Sequence, residues 1–87
     1  MSILSDIFAA RNRRDAELLK RIRKLNDTKI EAFTIDGVYY GAPKGVLMLI
    51  DEARGAHELR EFNRCEDICD MAEVGMQIER MTFRKPP

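Results

Sequence analysis

His57, Cys65 and Cys69 are the only side chains here that could hold a soft metal or serve as nucleophile and base, and their spacing decides what they can do. Cys-x-x-x-Cys on a helix places two sulfurs on one face, about 6 Å apart along the axis. His57 precedes Cys65 by eight residues, about 12 Å along the same helix, too far to share one ion without a break. Two ligands do not close a four-coordinate zinc site within one chain. The plain reading is two small hydrophobes on a core stripe. A catalytic thiol would need a base on a facing element, whereas His57 lies on the same helix or just before it. Glu66, Asp67 and Asp70 would raise a neighbouring thiol pKa and make the thiolate scarcer. The fifteen acids sit largely on a solvated helix face. Gly37, Gly41, Gly45, Gly55 and Gly75 are scattered, and none has a dinucleotide or P-loop spacing. The expectation is a protein that is no enzyme and needs no cofactor and no metal.

Charge supplies the candidate binding residues. The first helical segment carries Arg13, Arg14, Lys20, Arg21, Arg23 and Lys24 on its outer face, with Glu17 the one acid among them. Residues 1–29 hold eight Lys/Arg against four Asp/Glu, a charge of +4, and residues 30–87 hold seven against eleven, −4. Such a face could contact phosphates. The favoured reading is a solvated face, or one that pairs with the acidic third helix of the same chain or a neighbouring one. Arg13, Arg14, Lys20, Arg21 and Lys24 are taken as candidate binding residues. Tyr39 joins them on the outer face of a hairpin, since exposed tyrosine is enriched at interface cores. Met48, Met71, Met76 and Met81 read as core filler or as an adaptable surface.

These residues need elements to position them. Residues 2–26 read as a helix with Ser2 or Ser5 as N-cap. Leu4, Ile7, Phe8, Leu18, Ile22 and Leu25 fall on one face, and Arg11 to Asp15 interrupt the stripe, which predicts a bend or break there. Residues 28–35 and 38–41 flank Asp36-Gly37, the strongest short hairpin signal, and a two-residue type I′ loop pairs Ile35 with Val38 and Thr34 with Tyr39. That register puts Phe33 and Tyr40 on the core face with Ile35 and Val38. A second helix follows residues 42–45, with Val46, Leu47, Leu49, Ile50 and Ala53 apolar, and Gly55 ends or kinks it. A third starts at His57, with Leu59, Phe62, Cys65, Ile68, Cys69, Met71 and Ala72 as its apolar positions. Glu58, Glu61, Glu66, Asp67, Asp70 and Glu73 make its outer face acidic. Residues 74–84 read either as an extension of the third helix or as a short strand that covers a hairpin edge, with Gly75 and the Met, Ile, Thr and Phe content favouring the strand, and residues 84–87 as a frayed tail. The fold expected is α+β: an N-terminal helix, a β-hairpin, two helices and a short C-terminal strand, in a single domain over 1–87.

Eighty-seven residues make one domain, and 45 % hydrophobic residues with zero net charge suffice for a core. The longest apolar run is the five residues 46–50, far below a membrane span. The N-terminus has no basic region or cleavage site, and two cysteines are too few for a disulfide framework, so the expected location is the cytoplasm. The expected function is a small non-catalytic protein-interaction module, an adaptor, inhibitor or assembly component, acting as a homodimer without a membrane. The alternative is a nucleic-acid-binding accessory protein that uses the basic helix face.

Overall fold

The computed structural model describes residues 3–85. Three helices dominate it: α1 over Ile3–Ala32, α2 over Lys44–Glu58 and α3 over Phe62–Thr82. A hairpin of β1, Thr34–Ile35, and β2, Val38–Tyr39, joins the first two. Of the described residues 80 % are helical, which corrects the α+β expectation to a mostly helical fold with one small hairpin.

α1 runs unbroken through Arg11 to Asp15 and five residues past Asp27, taking up Thr28 to Ala32, which local β propensity assigns to a strand. Packing explains the override: Leu25 is buried, Lys29 and Ala32 follow on the same face, and Ala32 lies against the core. The turn itself is as its sequence requires. Asp36 and Gly37 have φ of 53° and 80°, and the register pairs Thr34 with Tyr39 and Ile35 with Val38. Only Phe33 of the expected core face is fully buried, and Val38 is half exposed. Ser2, a cap candidate, and residues 86–87 of the expected tail lie outside the described residues.

α2 continues through Gly55, whose backbone is ordinary, and takes in His57. It stops at a Schellman-type end: Glu61 N–H donates to Ala56 O at 2.9 Å and Arg60 N–H to His57 O at 3.0 Å. Arg60 occupies the left-handed position at φ 61°, where glycine is usual. α3 therefore begins at Phe62 rather than His57. It extends to Thr82, so the C-terminal strand favoured for 74–84 is instead about two and a half further helical turns. The hairpin is covered by the ring of Phe83, set edge-on to Phe33 at 5.1 Å between centroids.

Leu18, Ile22 and Leu25 of α1, Val46, Ile50, Ala53 and Ala56 of α2, and Phe62, Cys65, Ile68, Cys69, Ala72 and Met76 of α3 enclose one core with Phe33. Leu59 and Met71, expected on that core, are exposed. The three-residue α2–α3 connection makes those helices antiparallel. α1 and α3 run in the same direction, because Arg14 meets Glu66 and Arg21 meets Glu73. At 1.5 Å per residue α1 is about 45 Å long, against about 32 Å for α3 and 22 Å for α2. The N-terminal end of α1 consequently projects past the α2–α3 loop, and the molecule measures 62 × 20 × 18 Å. Among the described residues no helix is long and apolar enough to cross a membrane.

Candidate interaction surfaces

The basic face divides into residues that are held and residues that are free. Arg14 Nη2 donates to Asn63 Oδ1 at 2.6 Å and to Glu66 Oε2 at 3.1 Å. Arg21 Nε donates to Glu73 Oε1 at 3.0 Å, and its Nη2 to Asp70 Oδ1. Those two carboxylates, Glu73 first, hold the Arg21 guanidinium pKa above its ordinary value. The complementary charges of helices one and three thus meet within one chain at these two arginines. Arg13, Lys20 and Lys24 are exposed and form no ion pair among the described residues. They share a strip at seven- and four-residue spacings with Glu17 and Asp27, so the strip alternates in sign. Tyr39 is partly exposed, and its hydroxyl accepts the Ala42 N–H at 3.2 Å, closing the hairpin onto the start of α2.

Asp15 explains the interruption in the apolar stripe of α1. Its Oδ1 lies 2.5 Å from His57 Nε2, and its Oδ2 accepts from Arg60 Nη1 at 3.0 Å. Burial works against this carboxylate's charge, but the hydrogen bonds from Arg60 and His57 outweigh it and hold Asp15 below the usual carboxylate range. One acid on α1 thereby ties down both the end of α2 and the strained Arg60. His57 so has a structural partner, which sequence spacing does not reveal because 42 residues separate the two.

Cys65 and Cys69 are free thiols at zero exposure on the core face of α3. Burial raises both pKa values, that of Cys69 to about 12 with Cys65 beside it as the next cause. Among the described residues no three of His, Cys, Asp and Glu are placed together to hold a metal ion.

Among the described residues two apolar stripes stand out as uncovered. The first is the projecting end of α1, where Ile3, Leu4, Ile7 and Phe8 are 50 % to 78 % exposed. Leu4 and Ile7 continue the helical face of Leu18 and Leu25 to where α2 and α3 no longer bury it. At the base of the projection is a notch lined by Ile7, Arg11, Arg14, Arg60 and Phe62. The second is the outer face of α3, opposite its core stripe, where Met71, Val74, Ile78 and Met81 are 53 % to 76 % exposed. Their 3-4-3 spacing is a helical stripe of its own. Compared with protein-family models, curated proteins and solved structures, the chain matches none.

Proposed function

We propose that this chain is a small non-catalytic protein-interaction module, an adaptor, inhibitor or assembly component, whose docking element is the projecting end of α1. The observation that carries this reading is the exposure of Ile3, Leu4, Ile7 and Phe8 on two helical turns that extend beyond the body. Four large apolar side chains on one short helical stretch are the anchors of helix-in-groove recognition. The partner's shape follows from the notch. The face that bears Leu4 and Ile7 points to the side on which the body stands, so a broad flat surface meets the body first. A slender element fits, with apolar side chains toward Ile7 and Phe62 and carboxylates toward Arg11 and Arg60.

The rival is nucleic-acid binding through Arg13, Lys20 and Lys24, with Arg14 and Arg21 already engaged by carboxylates. An affinity capture with wild type and Phe8→Glu, each with and without nuclease, separates the two. A partner recovered by wild type in both lanes and lost from Phe8→Glu is the expected result. Loss of all partners on nuclease treatment, with Phe8→Glu behaving as wild type, supports the rival.

A further inference from the structure

We infer that the outer face of α3 is the seam of a homodimer, on which a second copy of this chain lies antiparallel; the inference rests on the interaction-module reading. Met71, Val74, Ile78 and Met81 follow the a-d-a-d spacing of a helix–helix seam and point away from the molecule's own core. A face of this kind is self-complementary: under a two-fold axis Met71 meets the partner's Met81 and Val74 meets the partner's Ile78, and the reverse pairs repeat.

The charges fix the direction. Asp67 stands at the N-terminal end of the seam, next to Asp70, which Arg21 already holds, and Arg84 and Lys85 follow its C-terminal end. Antiparallel packing sets each acidic end against the partner's basic end. Parallel packing would bring Asp67 beside the partner's Asp67 and the two basic ends together, and like charges so placed are unfavourable. Asp67 forms no ion pair within the chain among the described residues, and Lys85 is only 4.0 Å from an exposed Asp36, so both can take a partner. In the antiparallel register Asp67 of one copy lies just beyond Thr82, where the other copy's α3 ends and its basic residues Arg84 and Lys85 follow.

Sedimentation equilibrium at about 100 µM, where a micromolar Kd leaves few monomers, tests the seam. Wild type is expected to be dimeric, and Ile78→Glu to weaken self-association at least tenfold, with unchanged helicity and, at a dilution where both proteins are monomers, unchanged melting. Should Ile78→Glu alter the melting, Val74→Arg takes its place. A nitroxide at Asp67→Cys reads the direction, because the buried Cys65 and Cys69 do not label. The two labels are expected about 27 Å apart along the helix axes, from eighteen residues at 1.5 Å each, against about 10 Å for a parallel pair. A short label distance, or a dimer indifferent to Ile78→Glu, overturns the seam. So does a chain that stays monomeric yet captures its partner through residues 3–10, and that outcome leaves the interaction reading standing. A dimer that dissociates with Ile78→Glu although Phe8→Glu changes no partner supports the seam and removes the projecting end as the docking element.

Discussion

Leu4 and Ile7 lie on the same face of the same helix as Leu18 and Leu25, yet the first pair is exposed and the second buried. Nothing in the residue types separates them. What differs is how far another helix covers α1: α2 and α3 bury it from about Arg14 onward, and Ile3, Leu4, Ile7 and Phe8 stay at least half exposed, with only the edge of α3 beside Ile7. The comparison teaches that an amphipathic stripe specifies a face that wants covering, while the lengths of the partner helices decide where the cover stops. α3 repeats the lesson around its circumference, because Cys65, Cys69, Ala72 and Met76 face the core and Met71, Val74 and Ile78 face away from it.

The largest effect is expected in the covered half of α1. Ile22→Ala should cost about 2–5 kcal/mol, since Ile22 is 2 % exposed and the surrounding helices cannot close over the cavity. Urea titration checks this, and a cost below about 1 kcal/mol would mean that the covered half is packed no better than the projecting one. Next in size is Gly37→Val, at about 1–3 kcal/mol. No atom lies within 4 Å of an added Cβ there, so the cost comes from the backbone at φ 80° alone. An unchanged thermal midpoint would show that the turn is not needed to join α1 to α2.

Smaller and opposite in sign is Gly55→Ala. The site is helical, open to an added methyl group and free of positive φ, so alanine should raise stability by about 0.5–1 kcal/mol. Destabilisation would mean that α2 is interrupted there. A pH-dependent effect is expected at Asp15. Because Arg60 and His57 depress its native pKa, its contribution is whole above the ordinary carboxylate value of about 3.9 and fades as pH falls through the lower native value. The stability gap between wild type and Asp15→Asn should therefore close on the acid side. A gap that stays constant from pH 6 to about pH 2, well below the ordinary carboxylate value, would refute the clamp.

How much of this is legible in the sequence depends on the range of the signal. The Asp36-Gly37 turn, its register and the buried faces at Leu18, Ile22, Leu25, Val46, Ile50 and Cys65 are local or periodic, and they read correctly. Of the strand expected over 28–35 only Thr34–Ile35 forms, and of the two readings of 74–84 the helix holds as far as Thr82, because Thr, Ile, Val and Phe content speaks of strand, while tertiary packing of Leu25 and Met76 speaks of helix and wins. The α2–α3 boundary is missed because an arginine fills the left-handed position that glycine ordinarily marks. Of the site, the basic residues are found but their state is not. That Arg14 and Arg21 are held and Lys20 and Lys24 are free depends on which side of α1 faces α3. The outer stripe of α3 was present as Met71, Val74, Ile78 and Met81 at 3-4-3 spacing. A helix with two apolar faces is the signal that could have revealed it.

The smallest effect is the sharpest test of the opening comparison. Ile7→Ala with Phe8→Ala removes two side chains as large as those whose loss at Ile22 is costly, on a neighbouring part of the same helix. Both are at least half exposed, so truncation removes little buried surface and leaves no cavity. Alanine is also the better helix former by a few tenths of a kcal/mol per residue, which tends to offset what contact Ile7 makes in the notch. The net change in the stability of dilute protein should fall within about 0.5 kcal/mol of zero, with helicity by circular dichroism equal to wild type or slightly higher. Partner capture should nonetheless be lost. A double variant that unfolds as readily as Ile22→Ala would show that residues 3–10 are covered within the folded molecule. The projecting end would then be core and not docking surface.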